Sequence, residues 1–116
     1  MITEQRPWGS FTIIEDTATH KLKKIVVKPK QRLSYQSHEK RAEVWTFISG
    51  EGKFTLNDDV GLVTKGSVCI IPIGFKHRIE NHSESEDLVF FEVQLGEYFG
   101  EDDIVRYSDD YGRSNG

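Results

Sequence analysis

The chain has one cysteine, Cys69, and so cannot form an internal disulfide; a reducing cytoplasm is the compartment this usage implies. No histidine neighbours Cys69 in the segment GSVCIIP, which makes it a small core residue rather than a nucleophile. Long apolar runs are also missing. No stretch approaches the ~20 residues needed to cross a bilayer, and the start MITEQRPW lacks the apolar segment of a signal peptide. Positive charge is in deficit, with 15 Lys plus Arg against 19 Asp plus Glu, so the net charge of -4 offers no footprint for nucleic acid. Sustained helical periodicity is absent as well.

What the chain does contain is short strands. SFTIIED, HKLKKIVVKP, RLSYQSH, EVWTFISG, GKFTLND, DVGLVTK, SVCIIP, HRIENH and LVFFEVQ are apolar or alternating, and they are separated by Gly, Asn, Asp, Ser and Pro. At 116 residues this predicts one all-β domain, a sandwich or barrel, with no room for a second. The lysines of HKLKKIVVKPK read as the solvated face of a strand.

Two spaced half-motifs carry the chemistry. The first runs Lys30, Gln36, His38, Glu43, Gly50, and the second runs Gly66, Pro72, Gly74, His77, Asn81. Side chains two apart on a strand share a face, so Gln36 and His38 project together, with Ser34 on the same side. Alternation in EVWTFIS puts Glu43, Trp45 and Phe47 on one face, and the Pro72–Gly74 turn re-aims the chain before His77. Gln36, His38, Glu43 and His77 can then converge inside a barrel. Two imidazoles, a carboxylate and an amide oxygen form a nitrogen and oxygen set without soft sulfur, compatible with one divalent ion: Zn, Co, Mn, Ni or Fe(II).

This spacing resembles the two motifs of the cupin superfamily, G-x5-H-x-H-x(3,4)-E-x6-G and G-x5-P-x-G-x2-H-x3-N. Lys30 replaces the first glycine and Gln36 the first histidine; the second motif matches at every fixed position. RPWGSF from Arg6 to Phe11, LSYQSHEKRAEVW from Leu33 to Trp45, and EVQLGEYFGEDDIVRYSDDYGR from Glu92 to Arg113 narrow the resemblance to the type II mannose-6-phosphate isomerase module. That module is often the C-terminal part of a mannose-1-phosphate guanylyltransferase. Glu39, Lys40 and Val44 stand where that branch typically has histidines, which bears on substrate contacts more than on the ligands.

The resemblance implies a double-stranded β-helix of the jelly-roll kind, a cupin domain over residues 1–113 with a frayed terminus at 114–116. The polar segment after residue 100 is expected to fold across the barrel mouth, with one helical turn around Asp102 to Arg106. The implied activity interconverts mannose 6-phosphate and fructose 6-phosphate through an enediol(ate), with a metal ion stabilising charge on two sugar oxygens. A base must move the proton between C1 and C2: Glu92 is the first candidate, because FFEVQ alternation sets it opposite Phe91 and Val93, followed by Lys40 and Tyr98. Arg41, Arg106 and Arg113 are the candidates for the phosphate, against ion pairing with Asp102, Asp103, Asp109 and Asp110. His20 and His82 read as structural or solvated, Trp8 and Trp45 as core, and Gly50, Gly66, Pro72 and Gly74 as backbone geometry. The expected partners are a small phosphosugar and a second copy paired through strand edges. An Fe(II) oxygenase, on the two-histidine, one-carboxylate set, and a non-catalytic sugar-binding cupin are the alternatives.

Overall fold

A computed structural model describes residues 1–112. Alternation drives the architecture: eleven strands and no helix among the described residues. They are β1 (Ile2–Arg6), β2 (Gly9–Asp16), β3 (His20–Val27), β4 (Tyr35–Ser37), β5 (Arg41–Ser49), β6 (Gly52–Leu56), β7 (Asp59–Val63), β8 (Val68–Ile71), β9 (His77–Glu80), β10 (Leu88–Gly96) and β11 (Val105–Ser108). Two antiparallel sheets result, in the orders β1-β2-β3-β10-β5-β8 and β11-β4-β9-β6-β7. The all-β double-stranded β-helix expected from the motifs is the architecture observed. The proposed fray at 114–116 lies outside the described residues, as does Arg113.

The sequence reading missed β1. Its residues ITEQR are mostly exposed and polar, so no burial signal marks them, and the hairpin with β2 closes through Pro7 and Trp8.

Three neighbouring strands set up the interior. Inward positions run from apolar to polar or charged along each: Val27, Ile25, Lys23, Lys21 on β3; Leu88, Phe90, Glu92, Gln94 on β10; Phe47, Trp45, Glu43, Arg41 on β5. Register aligns these gradients, pairing Ile25 with Phe90 and Lys23 with Glu92, then Phe90 with Phe47 and Gln94 with Glu43. One half of the barrel is therefore a hydrophobic core and the other a polar chamber. In the core half the Trp45 ring stacks on Phe90 at 4.5 Å and Phe47 lies 4.9 Å from the same ring, with Phe54 and Ile79 closing from the second sheet. Each fully buried side chain of this kind contributes roughly 1.5–3 kcal/mol.

The lysine expectation is corrected here. Lys21 and Lys23 are buried because they share the phase of Ile25 and Val27, so the strand that buries two aliphatics carries two ammonium groups inward with them. The expected helical turn at Asp102 to Arg106 does not form either. The Asp103 carboxylate accepts from the backbone N–H groups of Glu39 and Lys40, both at 3.0 Å, and the chain then extends as β11 beside β4. The tail does cross the barrel mouth: Lys21 Nζ donates to the Phe99 carbonyl at 3.4 Å and Lys23 Nζ lies 2.6 Å from Glu101 Oε1.

Backbone geometry matters at two motif positions. Gly50 has φ 86°, and a Cβ there would stand 2.5 Å from the Asp87 carbonyl oxygen, so glycine is required. Lys30, at the position of the other motif glycine, adopts φ 64° with a full side chain.

Candidate metal centre

His38 follows β4, Glu43 lies on β5 and His77 opens β9, so two strands of one sheet face one of the other across the chamber. Their ligand-capable atoms all lie within 4.8 Å of one another, and all three side chains are buried. His38 Nδ1 sits 2.7 Å from the Asp103 carbonyl oxygen and His77 Nδ1 sits 3.0 Å from that of Phe75. Carbonyls only accept, so each Nδ1 carries its proton and each Nε2 presents a bare lone pair inward. Nε2 of His38 is 3.2 Å from Glu43 Oε2, and Nε2 of His77 is 3.9 Å from Glu43 Oε1.

Electrostatics keep this set ready for a cation. Burial pushes the His38 imidazole down to about 4 and lowers His77 as well, leaving both neutral at physiological pH. Burial opposes ionisation of Glu43, but the adjoining Arg41 guanidinium outweighs it and holds the carboxyl below its ordinary range. Trp45 Nε1 donates to Glu43 Oε1 at 2.8 Å and Arg41 Nε donates to Oε2 at 2.8 Å. Trp45 is thus core, as expected, and also orients the Glu43 carboxylate. Two neutral imidazoles and an ionised carboxylate, buried and converging, fit a divalent ion. Gln36 pairs with His77 in the β4–β9 register; its amide nitrogen donates to Ser34 Oγ at 3.0 Å, which leaves the oxygen as its ligand-capable end.

Beside this cluster is a cavity lined by Gln36, Arg41, Glu92 and Arg106 together with Arg6 and Lys23. Glu92 is buried and accepts from Gln94 Nε2 at 2.6 Å. Burial first, and the charge of Glu43 second, push its carboxyl up to about 7 despite Lys23 and Arg41. Arg106 stands opposite Gln36 in the β11–β4 register. Lys40 and Tyr98 are placed elsewhere: both are exposed, the Lys40 ammonium lies 5.1 Å over the Tyr98 ring, and the Tyr98 hydroxyl donates to Asp102. His20 and His82 are surface residues, and Cys69 is half-buried against the core.

Sequence reasoning missed Arg6, Lys23 and Glu101 as chamber residues. Lys23 Nζ lies 4.1 Å from the Phe11 ring centroid, the Arg6 guanidinium carbon 4.8 Å from it, and Glu101 reaches in from the tail. The available signal was the HKLKKIVV alternation, which phases Lys21 and Lys23 with the core residues Ile25 and Val27.

Comparison with known proteins adds the following. A family model described as mannose-6-phosphate isomerase C-terminal matches residues 2–109. A mannose-1-phosphate guanylyltransferase of Salmonella montevideo is 42% identical over 109 residues, 94% of this chain and 23% of that protein. The xanthan biosynthesis protein XanB of Xanthomonas campestris is 44% identical over the same shares. The chain therefore spans about a quarter of the length of these curated relatives, 23%. Among solved structures, a Klebsiella pneumoniae protein with a double-stranded beta-helix domain superposes with a TM-score of 0.72 at 22% identity, over 84% of this chain and 77% of that one.

Proposed function

Because this chain belongs to the mannose-6-phosphate isomerase C-terminal family, a cupin family, we propose that it is a metal-dependent aldose–ketose isomerase interconverting mannose 6-phosphate and fructose 6-phosphate. The observation that carries the reading is a buried carboxyl, Glu92, lining a cavity that adjoins the His38, Glu43 and His77 cluster. Burial pushes this carboxyl up from its ordinary value, which favours a group that takes a proton and gives it back, as one-base isomerisation requires.

In this mechanism the open-chain sugar lies with C1 and C2 over Glu92. Glu92 removes the C2 proton, the C2–H electron pair becomes the C1–C2 double bond, and the aldehyde oxygen takes up the displaced charge. Transfer of the C2 hydroxyl proton to the C1 oxygen and return of the Glu92 proton to C1, with the C2–O electrons forming the new carbonyl, complete fructose 6-phosphate. A divalent ion held by Gln36, His38, Glu43 and His77, with zinc the first choice, would supply Lewis-acid stabilisation to the oxygens on C1 and C2. Gln94 orients the Glu92 carboxylate through the 2.6 Å hydrogen bond. Arg106, with Arg6 and Lys23, supplies positive charge in the same cavity for the phosphate dianion.

The test is metal-stripped protein reloaded separately with Zn, Co, Mn, Ni and Fe(II) and assayed on mannose 6-phosphate, with His77→Ala as control. Turnover that returns with metal and disappears in the variant supports the isomerase. No product with any metal, in folded and loaded protein, shifts the reading to a sugar-binding cupin. We also propose that the domain pairs with a second copy through the β8 edge, whose outward Val68 and Ile70 are 58% and 65% exposed.

A further inference from the structure

The Arg41 guanidinium sits on the atoms that a metal ion would need. Its Nε donates to Glu43 Oε2 at 2.8 Å and its Nη2 lies 3.3 Å from His38 Nε2. His38 Nδ1 is committed as a donor to the Asp103 carbonyl, so Nε2 has one lone pair, in the ring plane. That lone pair can accept from Arg41 or bind a cation, but not both. Arg41 is also the cation paired with the buried Glu43 carboxylate.

We propose that Arg41 is an internal, displaceable cation: it holds Glu43 and His38 in the metal-free protein, and metal loading transfers its guanidinium into the adjoining cavity. The inference rests on His38, Glu43 and His77 being metal ligands and is independent of the isomerase reaction. The destination is already built. Arg41 Nη1 and Gln94 Oε1 are both buried without a hydrogen-bond partner among the described residues, a donor and an acceptor on paired strands. Glu92, beside Gln94 on β10, lines the same cavity as Arg41 and interacts electrostatically with it. Displacement would therefore satisfy two orphaned polar atoms and turn a guanidinium into the cavity beside Glu92.

The experiment measures zinc affinity by chelator competition for the full chain, Arg41→Met, Lys23→Met and His77→Ala, with thermal melts of each in zinc-free and zinc-saturated form. Lys23 is the control cation, because it lines the cavity but pairs with Glu101 instead of a ligand. Arg41→Met is expected to bind zinc at least ~10-fold tighter than the parent, the equivalent of about 1.4 kcal/mol, while Lys23→Met changes by less than ~3-fold. Zinc-free Arg41→Met should melt below the parent, and the zinc-saturated forms should melt together. Equal gains in Arg41→Met and Lys23→Met would reduce the effect to general charge repulsion and overturn the proposal, as would no gain in Arg41→Met. Should Arg41→Met fail to fold, the zinc-loaded parent structure decides: Nη2 still on His38 overturns the proposal, and Nη2 moved to Glu92 or Gln94 supports it. Zinc binding as weak in the parent as in His77→Ala would remove the metal site and this proposal with it, whatever the isomerase assay reads.

Discussion

Glu92 shows how much a single residue's role depends on its surroundings. Its folded carboxyl titrates at about 7 against an ordinary 4.5, so the folded state holds a proton that the unfolded state has lost between those values. This contribution is fully present below about 4.5 and is lost as pH rises through about 7. Glu92→Gln should therefore raise the melting temperature relative to the parent more at pH 8 than at pH 5, measured by calorimetry. In the isomerase assay the same substitution should lower kcat at least ~100-fold, the scale of a positioned base. Lys30 makes the complementary case in the backbone. It occupies φ 64° on the surface, where a side chain costs about 1–2 kcal/mol and glycine's extra unfolded freedom costs about 0.5–1. Lys30→Gly is expected to stabilise the domain by about 0.5–1 kcal/mol in urea unfolding, with metal affinity unchanged.

At the scale of elements, the segment between β10 and β11 ties the barrel mouth to the candidate metal centre. Asp103 is its anchor, since its carboxylate holds the Glu39 and Lys40 amides while its carbonyl fixes the His38 tautomer. Asp103→Ala should cost about 1–3 kcal/mol of stability and roughly 10-fold in zinc affinity, read by chemical denaturation and chelator competition. Unchanged zinc affinity would mean that the carbonyl holds its place without the side chain. Little of this was visible beforehand. DDIVR has the composition of a helix start, but its hydrogen-bonding groups are engaged by a loop about sixty residues earlier, and local propensity carries no information about that. The inward placement of Lys21 and Lys23 was legible in principle, because period-two alternation already phased them with Ile25 and Val27.

For the whole molecule, the question is what covers its edges. β8 and β7 end their sheets, and Val60, Leu62, Val68 and Ile70 on them are all more than half exposed. Sedimentation of the parent is expected to give a dimer and that of Ile70→Lys a monomer, with the variant's melting transition retained; a monomeric parent would remove the pairing proposal. No helix among the described residues is long and apolar enough to cross a membrane. The curated relatives that this chain matches are about four times longer, so nothing in this domain addresses the nucleotide chemistry for which the Salmonella relative is named.

The sequence by itself determined the all-β fold class and the convergence of His38, Glu43 and His77, three side chains able to hold a metal ion. Both depend on local rules: two-residue strand alternation, turns at glycine and proline, and the spacing of His38, Glu43 and His77 around them. Only the tertiary structure decided which charged residues share the chamber. Arg6, Lys23 and Glu101 enter it while Lys40 and Tyr98 stay outside, Arg41 lands on the ligand atoms, and Glu92 titrates near neutrality. These outcomes are set by the register of β3, β10 and β5, strands distant in sequence, and by the burial their pairing imposes. Burial and Coulomb energies depend on distances in space, which residue spacing along one chain does not specify.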